Sequence, residues 1–303
     1  ERVGLEDAPA RRGLVYWPGN SRHGARVVFA SGRWLYALDP KSGRPMADFG
    51  SEGRTEFPTG GTAVGVIFGD TYIVPGLWGD LLAFHLGTGA PLWRFHTIPE
   101  PGEFGADTWH GPDRDGAHPW GGVCLDEGRG IVFLAVGAAR PDFIGAGRHG
   151  DNLYSDCVVA LDARTGRRLW HFQNIRHDIW DLDNPAPPNL VTVNHGGQLV
   201  DAVACVTKVG NTLLLDRVSG KPLFPFRLRR APFSSLPGEV TAPYQPDPEM
   251  PEWVSRPAFT LENVTQRTPA ALSCSNRLRS TSRGSLPMKP RHWAGSPSGS
   301  PPK

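Results

Sequence analysis

The chain has 303 residues, with 32 Lys and Arg against 30 Asp and Glu, and is rich in Gly (37), Pro (30) and Trp (10). Seven of the basic residues lie between Gln266 and Lys303, a span without acids. The rest carries 25 basic against 30 acidic residues, a mildly acidic body that gives no reason to expect nucleic-acid binding. No apolar run approaches the ~18 residues of a membrane-spanning helix, no secretory signal peptide is visible, and Cys124, Cys157, Cys205 and Cys274 are too widely spaced for a zinc knuckle or a redox pair; they read as small buried apolar residues.

Abundant Gly, Pro and Trp point to many short strands joined by tight turns. Residues 27–50 open the pattern: two apolar strands flank Ser31-Gly32, a hairpin signal, followed by Ala37-Leu38-Asp39-Pro40-Lys41-Ser42-Gly43. Residues 66–95 repeat it, with a turn at Gly69-Asp70 and then Ala83-Phe84-His85-Leu86-Gly87-Thr88-Gly89. Residues 131–172 hold the clearest copy, Ala160-Leu161-Asp162-Ala163-Arg164-Thr165-Gly166-Arg167-Arg168-Leu169-Trp170, and residues 203–226 a fourth, ending Leu215-Asp216-Arg217-Val218-Ser219-Gly220.

The shared unit is an apolar strand, an Asp (once His), two variable residues, Ser or Thr, Gly, and often Trp four residues further on. The Asp and Ser or Thr can cap the turn and the Gly can take positive φ. The Trp then starts the next strand and can pack between sheets. The glycines at 43, 89, 166 and 220 are 46, 77 and 54 residues apart. Propeller blades recur at about 40–50 residues, and an insertion at 96–121 accounts for the longer gap. The sequence therefore predicts an all-β repeat protein of four-stranded blades, about four of them, rather than a sandwich.

With these residues in view, the repeat resembles the tryptophan-docking unit of the quinoprotein dehydrogenases, which use pyrroloquinoline quinone (PQQ) on an eight-bladed β-propeller. The stretch Trp170-His171-Phe172-Gln173, His177-Asp178-Ile179-Trp180-Asp181-Leu182-Asp183 and Pro185-Ala186-Pro187-Pro188-Asn189-Leu190 is similar to the branch of the membrane-type glucose dehydrogenases. The likeness runs from about residue 10 to 263 and is most specific over 158–190.

The resemblance implies roles for particular residues. Asp181 matches the catalytic Asp, a general base that also approaches a divalent ion, Ca²⁺ or Mg²⁺. Lys208 matches the lysine on the quinone oxygens, Trp120 the tryptophan stacked under the PQQ ring, Arg12 an arginine near a PQQ carboxylate, and Thr62 a threonine touching the cofactor. Such residues suit a flat tricarboxylate: Arg can hold a carboxylate in bidentate fashion, Trp offers a π face, and Lys stabilises charge developing on a carbonyl oxygen. The implied activity is oxidation of a sugar or alcohol in the periplasm, or on the outer face of the inner membrane, with electrons passed to a quinone or cytochrome.

Each residue also has a plainer reading. Asp178, Asp181 and Asp183 can cap turns, with Asp183 read as structural. Lys208 can be a solvated strand end, Trp120 blade packing, Arg12 a surface charge and His177 a hydrogen-bonded loop residue. The alternative function is a non-catalytic propeller fragment or protein-interaction scaffold.

Departures from the family pattern bear on that choice. A segment that is usually long is only Pro75-Gly76-Leu77-Trp78-Gly79, and Ala138 and Ala139 stand where some relatives place a metal-binding Asn. A vicinal cysteine pair of the alcohol-oxidising branch is absent. Residues 1–263 are expected to form a partial propeller. Residues 264–303, rich in Ser, Pro and Arg, are expected to be disordered and to follow a loss of reading frame near 264–268, which the three frames of the coding DNA would test.

Overall fold

Alternating apolar residues along each short strand build a stack of antiparallel sheets in the computed structural model, which describes residues 12–61, 63–252, 254 and 268. The first sheet joins Val15–Trp17, Arg26–Ser31, Trp34–Leu38 and Arg54–Glu56. The second joins Val66–Phe68, Thr71–Pro75, Leu81–His85 and Pro91–Phe95, and the third Val123–Asp126, Ile131–Ala135, Cys157–Asp162 and Arg168–Gln173. All are antiparallel and, in each, strands adjacent in sequence are adjacent in the sheet.

The fourth sheet differs from the four-stranded expectation. It has three strands, Asn189–His195, Gln198–Val206 and Thr212–Asp216, while Phe226–Arg230 pairs with Tyr244–Pro248 in a separate ribbon. Pro222 and Pro225 interrupt the segment where a fourth strand would form, leaving one isolated bridge from Leu215 to Pro222. Proline lacks the N–H that a ladder needs.

Period-two alternation sends successive residues to opposite faces, and here both faces are buried. Tyr72, Val74, Leu82 and Phe84 pack toward the first sheet, while Ile73, Leu81 and Ala83 pack toward the third. Val132 and Leu134 face the second sheet; Ile131, Phe133 and Ala135 face the fourth. The sheets therefore stack face to face as the blades of a β-propeller. Each fully buried Phe, Leu or Ile contributes about 1.5–3 kcal/mol.

The repeat unit forms the expected turn four times. Asp39 Oδ1 accepts from the N–H groups of Lys41 (2.9 Å) and Ser42 (2.7 Å), Asp162 Oδ1 from Arg164 (2.9 Å) and Thr165 (3.0 Å), and Asp216 Oδ1 from Val218 (3.1 Å) and Ser219 (2.7 Å). His85 Nδ1 does the same for Gly87 and Thr88.

The turn glycines also receive the tryptophans. A Cβ on Gly166 would lie 2.5 Å from the ring of Trp93, and one on Gly220 would lie 2.5 Å from that of Trp170. The indole N–H groups donate to Ala163 O and Arg217 O, both at 3.3 Å. Each blade is thus docked onto the turn of the next. In the first blade Phe49 takes the tryptophan's place against Gly89.

Two insertions leave the stack and meet each other. The 96–121 segment contains a short 3₁₀ turn, Ala106–Thr108, and a second insertion spans 136–156 inside the third blade. They join through a two-residue ladder, Asp115–Gly116 against Ala139–Arg140, and through a His110–His149 bridge. The expected tail, 264–303, lies outside the described residues apart from Thr268. Among the described residues no helix is long and apolar enough to cross a membrane. Cys124, Cys157 and Cys205 are free thiols, the latter two buried.

Candidate active site

The segment after Gln173 leaves the sheet as a tight loop whose core is Asp178. Its carboxylate accepts from Trp180 N (2.8 Å) and Leu182 N (2.6 Å). Burial pushes this carboxyl up to about 7, against the pull of those two N–H groups and of Arg148. Two loop residues adopt left-handed backbone, His177 at φ 49° and Asp181 at φ 56°, a region that Asp and His tolerate better than most side chains. His177 is buried, with Nδ1 2.8 Å from Gly150 O and Nε2 2.8 Å from Glu239 Oε1. This agrees with the reading of His177 as a hydrogen-bonded loop residue. Among the described residues no group of three or more His, Cys, Asp or Glu converges as a metal cluster.

The loop delivers Asp181 and Asp183 to one cavity of about 250 Å³, lined also by His118, Trp120, Arg140 and Lys208. Lys208 follows the strand Gln198–Val206 and is fixed by its own N–H, which donates to Asp183 O at 3.0 Å. Its Nζ donates to Asp181 Oδ2 at 3.0 Å and also to Asp183 Oδ2. Asp183 Oδ1 accepts from Ala138 N at 2.6 Å and faces the Trp120 indole N–H at 3.4 Å.

These surroundings separate the two acids. Burial raises the Asp181 carboxyl and its neighbour Asp183 adds to the rise, outweighing the Lys208 hydrogen bond. Burial acts in the same direction on Asp183, but Lys208 and the Ala138 N–H win, and its carboxyl is lowered. For Lys208 burial alone would lower the ammonium; its bonds to Asp183 and Asp181 raise it instead, so it stays charged. Nearby, the fully buried Asp156 carboxyl is pushed well above the usual range by burial and then by Asp178 and Asp183.

Trp120 stands in the turn Pro119-Trp120-Gly121-Gly122. Gly121 has no room for a Cβ because the Pro185-Ala186 backbone lies against it, so the turn sits on the segment that follows the Asp181 loop. Arg12 Nη1 donates to Trp120 O at 2.7 Å, and its guanidinium lies 5.3 Å from the centre of that ring. The short 75–79 turn brings Trp78 edge-on to His118, with ring centroids 5.8 Å apart.

Four residues singled out from the sequence, Asp181, Lys208, Trp120 and Arg12, thus come together. Thr62 lies outside the described residues. Asp183, read from the sequence as structural, faces the cavity and contacts Lys208. Its i+2 spacing from Asp181 was the available signal. Arg140 and Asp142 were missed because only the insertion-to-insertion ladder brings them to the wall.

The donor set suits a planar polyanionic quinone. Gly137 lies between Asp183 and Trp120, where a Cβ would be 2.5 Å from Asp183 Oδ1 and 2.8 Å from Trp120 Nε1, so a side chain there would fill the cradle. Lys208 and Arg140 offer positive charge at the wall, with Lys208 bonded to both Asp181 and Asp183.

Blades docked through Trp-to-Gly contacts, with a carboxylate pair, a lysine and a tryptophan in one cavity, define a β-propeller with a polar, aromatic-walled cavity. The chain belongs to the PQQ-dependent glucose/ethanol/alcohol dehydrogenase β-propeller family, whose family model matches residues 3–297. It is 29% identical over 234 residues to quinoprotein glucose dehydrogenase A of Acinetobacter calcoaceticus, covering 68% of this chain and 29% of that protein. It is 30% identical over 251 residues to the quinate/shikimate dehydrogenase (quinone) of Acinetobacter baylyi, covering 72% of this chain and 30% of the relative. The chain therefore spans about a third of the length of these relatives. The quinohaemoprotein alcohol dehydrogenase structure from Comamonas testosteroni shares the fold, with a TM-score of 0.61 at 23% identity over 78% of this chain and 38% of that one.

Proposed function

We propose that the cavity around Asp181 and Lys208 is the cofactor and catalytic site of a PQQ-dependent dehydrogenase acting on a sugar or alcohol. The observation that carries this reading is the Lys208 ammonium bonded to both Asp181 and Asp183 beside Trp120. PQQ, when bound, supplies the two-electron acceptor for the hydrogen on the substrate carbon.

The chain's own residues have the remaining tasks. Trp120, backed by Arg12, offers an aromatic surface. Lys208 presents N–H donors, and His118, met edge-on by Trp78, lines the same cavity. Asp181 takes the substrate hydroxyl proton at its carboxylate. Asp183, anchored by Ala138 N, keeps Lys208 charged and in place. The Asp181 and Asp183 carboxylates supply hard oxygens for Ca²⁺ or Mg²⁺, ions that take their remaining ligands from other oxygens. The expected setting is the periplasm with a quinone or cytochrome as electron acceptor; the name of the quinate/shikimate dehydrogenase (quinone) relative supports the quinone.

Dye-linked oxidation of glucose by the full chain loaded with PQQ and Ca²⁺ tests the reading. Asp181→Asn should lower kcat by about 10²–10⁴-fold while PQQ still binds. PQQ binding without turnover in the unaltered chain would favour a binding scaffold instead.

A further inference from the structure

The repeat joins each blade to the next by setting a ring on a turn glycine. Phe49 lies against Gly89, Trp93 against Gly166 and Trp170 against Gly220. Two positions in this scheme have no counterpart among the described residues. A Cβ on Gly43, the turn glycine of the first sheet, would meet nothing within 4 Å. Phe224, four residues after Gly220 and so in the donor position of the fourth sheet, lies against none of the four turn glycines. Its ring meets His195 of its own sheet instead, with centroids 5.0 Å apart.

Burial marks the same two sheets. Residues 81–84 and 131–135, in the second and third sheets, are buried on both faces. In Arg26–Ser31, by contrast, Val27 and Phe29 are half-buried while Val28 and Ala30 are buried. In Thr212–Asp216, Leu214 is half-buried between the buried Leu213 and Leu215. Val28 and Ala30 pack on the second sheet, and Leu213 and Leu215 on the third. The half-buried residues therefore belong to the opposite, outward faces. One outward face is aromatic, with Phe29 and Tyr36 paired across strands and stacked at 5.5 Å. The other is aliphatic: Val193 lies opposite Val200, Ala204 opposite Leu214, and Val206 is 42% exposed. Among the described residues no core cluster joins the first sheet to the fourth.

The two faces complement each other. One carries an acceptor turn that no ring fills, and the other a ring that no turn receives. Both occur once in every copy, so a further molecule of the same chain satisfies both together. We infer that a second copy of this chain docks head to tail on these faces, the fourth sheet of each copy against the first sheet of the other, with Phe224 set over the partner's Gly43. Two sets of four sheets make eight blades, within the range of about four to eight at which propellers close. The two junctions are then equivalent and the assembly stops at a dimer. The inference does not depend on the cofactor reading.

The test is sedimentation velocity and native mass spectrometry of the full chain from low to high micromolar concentration. A species of twice the 32.9 kDa chain mass is expected. Gly43→Asn puts a side chain into the junction at a residue with φ 70°, a region Asn tolerates, and into space that is open in the single copy. It should weaken dimerisation about 10–100-fold with the melting temperature of the monomer unchanged. Gly69→Asn, at an equally open turn of the second sheet with φ 58°, should leave the dimer intact. Val193→Glu should also weaken the dimer, from the opposite face. A mixture of Gly43→Asn and Val193→Glu chains keeps one intact junction and should associate more tightly than either variant alone. A chain that stays monomeric throughout, a dimer insensitive to Gly43→Asn, equal loss in Gly69→Asn, or a ladder of longer oligomers would each overturn the inference. So would a mixture no tighter than its components. The two glycine variants decide even where Val193→Glu does not fold.

Discussion

Lys208 sits between two carboxylates whose surroundings push them apart, Asp181 upward and Asp183 downward. Pairs separated in this way are how one site holds a proton acceptor and a fixed anion together. Removing the cation should therefore harm the site more than removing its length. Lys208→Ala is expected to weaken PQQ binding roughly 10–100-fold, since hydrogen bonds to charged groups contribute about 1.5–3 kcal/mol, whereas Lys208→Arg should retain part of the affinity. Fluorescence titration of the two variants makes the comparison, and equal losses would contradict the role given to the charge. Much of this site was legible in the sequence because the Asp178–Asp183 run is local and carries a specific motif. The partners of Asp183, Ala138 and Lys208, lie 45 and 25 residues away, so its place at the cavity wall could not be read locally. Glu239, which holds His177 from 62 residues away, left no local trace.

Blade docking belongs to the scale of elements. Trp170 is 7% exposed, fills the space above Gly220 and donates to Arg217 O. Trp170→Ala is expected to destabilise the chain by about 3–5 kcal/mol, read as a lower denaturant midpoint with an unchanged m-value. The turn unit and this Trp were predictable because both are short-range patterns. Phe49, the substitute in the first blade, was not, because it falls six residues after Gly43 rather than four. The same is true of the missing fourth strand, where prolines overrode the repeat.

The third and fourth blades are also joined by charge. Arg217 Nη1 donates to Asp126 Oδ2 at 3.0 Å, and Arg129 reaches Asp126 at 2.9 Å and Asp201 at 2.5 Å. Burial would raise the Asp126 carboxyl, but the arginine bonds lower it overall. A carboxyl lowered by folding contributes stability above the unfolded value near 3.8 and loses it as pH falls below that toward the folded value. Asp126→Asn should cost about 2–3 kcal/mol at pH 7, because it weakens the partner of a mostly buried guanidinium, and should flatten the acid limb of the stability profile. An unchanged acid limb would contradict the assignment.

On the scale of the whole molecule, the described blades differ in how fully their faces are covered. In the third blade both faces of Ile131–Ala135 are covered, while Phe226–Arg230 forms a more exposed outer ribbon. Contacts in such arrays run between nearest neighbours, so opening starts where neighbours are fewest. Hydrogen exchange should be slowest in Ile131–Ala135 and Cys157–Asp162 and fastest in Phe226–Arg230. The reverse order would mean that blade stacking does not govern stability. The stack was foreseeable from the repeat period, but the insertions that contribute to the cavity wall meet only in three dimensions, through Asp115–Gly116 and Ala139–Arg140.

The most direct test of the account is whether the folded full chain binds PQQ. Titration in the presence of Ca²⁺, followed by Trp fluorescence, should give saturable one-to-one quenching that weakens in Lys208→Ala and in Trp120→Ala. A chain with an intact thermal transition that shows no saturable quenching would contradict the assignment of the Asp181–Lys208 cavity to the cofactor.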